Sequence, residues 1–431
     1  MKRLLIIASK LGYQTRSFAE AARALGVEVV FASDRCQGLD DPWSDGAIAV
    51  HFDQPEEAAR RIVRQSLARR VDGLIALGDR PTTAAAYAAR ALGLTYNRPE
   101  AVENCRSKLH QREVLREAGL PIPGFFSFRL GKRLERILPR VHFPCVIKPI
   151  RLAASQGVIR TNNPEEFRAA VERLRTLLES PEMRATREAE LDCLLVERYI
   201  PGAEVAIEGL LTRGKLRILA IFDKPDPLEG PYFEETIYVT PSRQTELMQR
   251  RIADCAGATV RALGLEHGPV HAEFRVNEQG PWVLEASPRP IGGLCSLGLR
   301  FGPERIQLEE LLVRHALAME GSELERETDA SGVMMIPVPG TGVLEGIEGE
   351  EEARDTPGVE DVRITARLRD FIAAWPEGSS YLGFIFARGP SPAEVEAALR
   401  LAHSLMRFEI VPRLPVEHPL ARRLPDTGTA S

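Results

Sequence analysis

Residues 270–293, VHAEFRVNEQGPWVLEASPRPIGG, place acids where an ordinary sheet would avoid them. Two strand-like runs flank Asn277-Glu278-Gln279-Gly280. A three-residue loop closed by Asn277 and Pro281, with Gly280 left-handed, predicts their pairing register. Glu273 then lies opposite Glu285 and His271 opposite Ser287, while Ala272, Phe274, Val276, Trp282, Leu284 and Ala286 turn to the other face and a core. Like charges facing each other across strands cost about 0.2–1 kcal/mol unless a cation sits between them. A hard cation such as Mg²⁺ is held by one or two carboxylates together with substrate phosphates, so an anion site is expected close by. Arg289 follows at once, a guanidinium able to grip phosphate oxygens as a fork, and Gly292-Gly293 would let backbone N–H groups approach an anion or a tetrahedral centre. The plain alternative is a solvated hairpin face ending in a glycine turn, since charged outer faces are common on antiparallel sheets.

Lysine usage adds a second signal. Only seven of the 56 basic residues are Lys and 49 are Arg, so each Lys is informative. An ammonium binds phosphate as a compact charge on a flexible stem, a geometry Arg does not reproduce. Lys108, Lys148 and Lys224 lie in motif-like settings, whereas Lys2, Lys10, Lys132 and Lys215 sit near ends or turns; the alternative for any one of them is a chance surface position.

The elements that must position these groups follow from hydrophobic spacing. KRLLIIAS, VEVVFAS and DGLIALGD read as buried strands, alternating with the helices FAEAARALG, QPEEAARRIVRQSLARR and PTTAAAYAARALG, so residues 1–97 form a Rossmann-like unit. It lacks a GxGxxG turn, which argues against a dinucleotide site. Asp79 and Arg80 fall at a strand's C-terminal end, where such sheets bind ligands, and Asp79 serves equally as a helix N-cap. AVENCRSKLHQREVLREAG predicts one helix carrying Lys108, stopped by LPIP. FPCVIKP is a strand ending at Lys148, followed by the small-residue loop IRLAASQGV and a helix from Pro164 to about Leu178. Such a loop can turn backbone N–H groups toward phosphate oxygens or be an ordinary surface turn. DCLLVERYIPGAEVAIEGLL is a strand pair broken at Pro201-Gly202, with Glu204, Ala206 and Glu208 on one face. Glu197 and Glu204 could accept from a nucleoside or be outward strand acids. FDKPDPLEGPYFEETIYVTPS is a long loop with Lys224 near its start, and such loops are usually functional.

At 431 residues the chain predicts several domains. Hydrophobic content of 44% and a net charge of −5 predict a folded protein without a nucleic-acid footprint. No apolar run approaches the roughly 20 residues that span a bilayer. The six cysteines form no CxxC pair, which argues against zinc or a disulfide framework, and a cytoplasmic protein is expected.

The order of motifs is more specific than any one of them: Lys108 before a P-x-P turn, VIKP, a flexible loop, VERYIPGAE, a Lys-bearing acidic loop, then HAEF and LEASPRPIGG. Together they resemble the ATP-grasp superfamily over roughly residues 1–320. With SGVMMIPVPG and YLGFIFARG beyond, the chain looks most like L-amino-acid ligases and related carboxylate–amine ligases. The resemblance implies an α/β and α+β multidomain ATP-grasp fold. A Rossmann-like pre-ATP-grasp domain would span 1–97, a first ATP-grasp subdomain 98–200, a second with the metal site 201–320, a small α+β C-terminal domain 332–412, and a tail 413–431.

By the same resemblance Lys108 and Lys148 would contact ATP phosphates, with Ser155, Gln156 and Gly157 in the loop closing over them. Glu197 and the backbone of Arg198, Tyr199 and Ile200 would meet adenine, and Glu204 the ribose. Glu273 and Glu285 match metal ligands for Mg²⁺, with Mn²⁺ as an alternative. Arg289 matches the arginine beside the transferred phosphate, Gly292 and Gly293 line the acceptor side, and Lys224 lies in the loop covering the substrate. Where the family commonly reads E-x-N-x-R, this sequence has Glu285-Ala286-Ser287-Pro288-Arg289, so the third metal position carries a hydroxyl, a poorer ligand than an amide carbonyl. The implied reaction is ATP-dependent amide formation through an acyl phosphate, from small-molecule carboxylate and amine substrates. The alternatives are a bicarbonate-activating carboxylase-like enzyme and a catalytically silent ATP-binding module. A homodimer through the N-terminal domain would accord with the family.

Overall fold

The computed structural model describes residues 1–9, 12–34 and 47–412; Lys10, Cys36 and the expected tail 413–431 lie outside the described residues. The N-terminal unit is a parallel sheet in the order Ala47–Ala49, Glu28–Ser33, Arg3–Ala8, Gly73–Leu77. After Arg3, its inner strand RLLIIA is apolar and buried because both faces are covered. Leu5 and Ile7 pack under the helices Pro55–Ser66 and Arg80–Leu92. Leu4 and Ile6 join Phe18 of the helix Tyr13–Ala24 and Leu308 and Leu311 of the helix Leu308–Ala316, in a core that runs on to the largest sheet.

The single helix predicted around Lys108 is two, Pro99–Arg106 and Lys108–Glu117. Ser107 between them is extended, and its hydroxyl accepts from the His110 N–H as an N-cap, the role short polar residues take in preference to a helix interior. Lys108 therefore opens a helix rather than lying within one.

Four antiparallel strands, Phe125–Arg129, Cys193–Arg198, Cys145–Pro149 and Ile159–Thr161 in that order, make a small sheet. The helix Pro164–Leu178 backs it with Phe167, Ala170, Val171, Leu174 and Leu178 in one stripe. The largest sheet has eight strands in the order Gly280–Ser287, Gly268–Asn277, Ala203–Thr212, Lys215–Lys224, Ile237–Thr240, Ala330–Ile336, Gly383–Gly389, Val359–Ile364. Three strands from residues 332–412 thus continue the sheet begun by 201–320, joined where Ile237–Thr240 pairs with Ala330–Ile336. Along Gly268–Asn277, Val270, Ala272, Phe274 and Val276 pack under the helix Glu246–Leu263, leaving His271, Glu273 and Arg275 on the opposite face.

The hairpin that presents the acids differs from expectation in a compensating way. Asn277 pairs with Gly280 across a two-residue loop, not with Pro281 across three, and the extra residue reappears as a bulge beside Phe274. Phe274 therefore faces Val283, Arg275 faces Trp282, and beyond the bulge Glu273 still faces Glu285 and His271 still faces Ser287. Trp282 and Leu284, expected in the core, are only partly buried, and Val283 takes the core position. Gly280 has φ +123, and a Cβ there would meet the Arg251 guanidinium at 2.1 Å.

Candidate active site

A cavity of about 320 Å³ is walled by the small sheet, the eight-stranded sheet and residues 288–293. Of the residues expected to do chemistry, Lys108, Lys148, Ser155, Glu197, Arg198, Tyr199, Ile200, Glu204, Glu273, Glu285, Ser287, Arg289, Gly292 and Gly293 line it; Gln156, Gly157 and Lys224 do not.

On the small-sheet wall Lys148 Nζ lies 2.7 Å from Glu197 Oε2, and Arg112 Nε donates to Glu197 Oε1 at 2.6 Å. Burial works against the Glu197 carboxylate, but Arg112 and Lys148 together hold it below the usual range. Burial also pushes the Lys148 ammonium down, against the pull of Glu197. The acceptor capacity of Glu197 is thus taken up by two cations. The N–H groups of Arg198 and Tyr199 already donate to Gly124 and Pro144, which leaves the Ile200 N–H as the amide donor on that edge.

Across the cavity Glu285 Oε2 lies 3.0 Å from Lys108 Nζ, which also donates to the Leu152 carbonyl at 2.7 Å. Glu273 Oε1 lies 3.4 Å from His271 Nε2 and 3.5 Å from Lys224 Nζ. His271 Nδ1 is 3.3 Å from the fully buried Glu208, whose carboxylate accepts from the Ile291 N–H at 3.2 Å. Burial disfavours the imidazolium, yet Glu208 and Glu273 push its pKa up to about 9. Burial opposes ionisation of Glu273 too, and Lys224 with His271 overcomes it and holds that carboxyl far below its ordinary value.

Lys224 differs from expectation. It ends the strand Lys215–Lys224 rather than lying in the following loop, and its ammonium sits behind the cavity wall, 2.7 Å from Glu204 and in contact with Glu235. Glu204, Glu235 and Glu273 bring carboxylate oxygens within 4.8 Å of one another, a metal-like donor set whose cation is Lys224 itself. Glu204, expected to meet a ribose, also holds Arg275 at 3.0 Å.

Arg289 Nε donates to Asp79 Oδ1 at 3.0 Å, which settles the role of Asp79: it stands at the N-cap of the helix Arg80–Leu92 without a side-chain capping bond and orients the arginine instead. Burial raises the Asp79 carboxyl, but Arg289 outweighs it and brings the value to about 2. The glycine turn is tight: Gly293 has φ +64, and a Cβ there would lie 2.9 Å from the Phe384 ring.

The loop after Lys148 also departs from expectation. Ser155 faces the cavity, but the Gln156 amide donates to the Glu377 carbonyl at 2.7 Å and the Gly157 N–H to the Pro376 carbonyl at 2.9 Å. Both are engaged by residues 376–377 rather than facing the cavity.

The residues fit a divalent cation at one place. Glu273 and Glu285 face each other across adjacent strands and line the cavity, and Glu273 Oε2 and Glu285 Oε1 make no hydrogen bond among the described residues. Two carboxylate oxygens beside a phosphate site are the donor set Mg²⁺ takes. Ser287 fits less well, because it faces the imidazolium of His271.

Spacing alone could have added residues to this list. Arg112 is four residues from Lys108 and so on its helix face, and Arg275 is two from Glu273 on one strand face. Glu235, Tyr238 and Tyr381 carried no such signal, since long-range folding brings them to the cavity.

Three family models match the chain: an ATP-grasp N-terminal domain over residues 19–95, an ATP-grasp domain over 141–297, and an L-amino acid ligase C-terminal domain 2 over 334–411. Among curated relatives, uncharacterized protein y4rH of Sinorhizobium fredii is 27% identical over 321 residues, 73% of this chain and 63% of that protein. Alanine–anticapsin ligase of Bacillus amyloliquefaciens is 26% identical over 297 residues, 64% of this chain and 62% of that protein. The chain thus spans under two thirds of the length of either relative. The crystal structure of an L-amino acid ligase from Bacillus licheniformis superimposes with a TM-score of 0.79 at 28% identity, covering 95% of this chain and 99% of that one. No helix among the described residues is long and apolar enough to cross a membrane.

Proposed function

We propose that this chain, which has the ATP-grasp fold and is similar to L-amino-acid ligases, is an ATP- and Mg²⁺-dependent amino-acid or dipeptide ligase that joins the carboxylate of an amino acid to an amine. One observation carries the reading. Two opposed carboxylates, Glu273 and Glu285, and three cations, Lys108, Lys148 and Arg289, surround one cavity whose lining also includes Tyr238, Met335 and Tyr381.

The substrate carboxylate attacks the γ-phosphorus of ATP, and ADP leaves with the bridging oxygen. The amine then adds to the acyl carbon of the acyl phosphate, loses a proton and expels phosphate. Lys108 and Lys148 hold the phosphates, and Arg289, oriented by Asp79, neutralises charge on the moving phosphoryl group. Glu273 and Glu285 would hold Mg²⁺, which would further neutralise phosphate charge. Lys224 acts by clamping Glu273 from behind. The tyrosine rings and Met335 in the lining favour an organic acid over bicarbonate, which would leave them unused. A division into units 1–97, 98–200, 201–320 and 332–412 accompanies this reading. So does a cytoplasmic setting, which suits the five buried free cysteines.

ADP release measured against pairs of amino acids, with the product weighed by mass spectrometry, tests the reaction; amine-dependent ADP and an amide mass are expected. ADP release stimulated by bicarbonate without an amine would select the carboxylase instead. Bound ATP with no turnover on any pair would leave a silent module.

A further inference from the structure

We propose that residues 373–381 form a strap that positions the phosphate loop, with Trp375 and Glu377 as positioning residues for ATP; this rests on the nucleotide reading above. The loop needs outside support. Ala154 and Ser155 both have left-handed backbones, φ 55 and 54, which non-glycine residues hold only when their surroundings impose it. Within the loop, Gln156 N–H donates to Ala153 and Val158 N–H to Ser155. At Ala154, Gln156 and Gly157 the further bonds come from a segment more than 200 positions away: Trp375 Nε1 donates to the Ala154 carbonyl at 3.1 Å, and the carbonyls of Pro376 and Glu377 accept from the Gly157 N–H and the Gln156 side-chain amide.

The strap is anchored at both ends. The Glu377 carboxylate pairs with Arg173 on the helix Pro164–Leu178 at 2.8 Å, and Arg173 also donates to the Tyr232 hydroxyl. The Trp375 ring stacks on Tyr381 with centroids 5.0 Å apart, and Tyr381 lines the cavity near Gly293. The turn between is tight enough to require Gly378, where a Cβ would lie 2.0 Å from the Ala373 carbonyl. One continuous segment therefore connects Tyr381 in the cavity lining to the loop at residues 154–157. It holds Ala154 and Ser155 in their strained arrangement before ATP arrives, so less ordering is left for binding to supply.

The test uses the full chain, with Mg²⁺ and the non-hydrolysable probe AMP-PNP, and calorimetric affinity as the readout. Arg173→Glu and Glu377→Arg, made singly, are each expected to weaken binding by roughly fivefold, and the double reversal to restore it to within about twofold. Trp375→Phe keeps the ring on Tyr381 and removes only the N–H, and is expected to weaken binding by roughly fivefold, the equivalent of one hydrogen bond. Thermal midpoints measured in parallel separate these effects from loss of fold. Unchanged affinity in Trp375→Phe, or a double reversal no better than the single ones, would overturn the strap while leaving the nucleotide site intact. If the unaltered chain binds no AMP-PNP, the nucleotide reading falls and the strap falls with it.

Discussion

Lys148 and Lys224 are both buried ammonium groups at or near the end of a strand, and their surroundings shift them in opposite directions. Lys148 meets one carboxylate, Glu197, which it shares with Arg112, and burial pushes its pKa down. Lys224 meets Glu204, Glu235 and Glu273, and although burial opposes it, the three acids raise it well above its ordinary value. The wall at Lys148 therefore carries more positive than negative charge and faces the cavity, as a phosphate site must. At Lys224 the charge is spent internally, and the group is a clamp. A buried lysine is thus informative only together with the number of acids around it.

The most severe way to break this contrast is Lys224→Met. Removing the buried cation leaves the partly buried Glu235 without it and weakens the surroundings of Glu204 and Glu273, and about 3 kcal/mol of stability should be lost, read from urea unfolding. A loss below about 1 kcal/mol would mean that Lys224 is no clamp. Lys148→Ala is the converse. Glu197 retains Arg112, so stability should fall less, while AMP-PNP affinity should drop by roughly ten- to a hundredfold, the worth of a charge-assisted hydrogen bond. Equal affinity in the variant and the unaltered chain would remove Lys148 from the phosphate site.

The comparison is sharpened at His271, whose imidazole meets Glu273, one of the acids around Lys224. Its folded pKa of about 9 lies above the unfolded value, so its stabilisation is complete below about pH 6.5 and is lost as pH rises through about 9. For the chain without nucleotide or metal, the stability advantage over His271→Gln should shrink across that window by on the order of 3 kcal/mol. An advantage that stays level from pH 6 to about 9.5 would show a neutral imidazole.

The opposition of Glu273 and Glu285 was legible because strand side chains alternate with period two, and it survived a misread loop because the bulge restored the residue count. The alternating N-terminal unit and the helix Pro164–Leu178 were legible for the same reason, local periodicity. The break at Ser107 was not, since serine is tolerated inside a helix and becomes a cap only when the chain around it turns. Nor was the orientation of Gln156 and Gly157, whose partners lie in residues 376–377.

By itself, then, the sequence determined which chemical groups exist, their order, and which share a strand or helix face, because those follow from short-range geometry. Which acids neutralise Lys224 and leave Lys148 in surplus, which residue orients Arg289, and which carbonyls engage Gln156 and Gly157 were decided by tertiary structure alone. Each depends on strands and loops far apart in the chain meeting in a buried, low-dielectric space, where one additional carboxylate reverses the direction in which an ammonium is shifted.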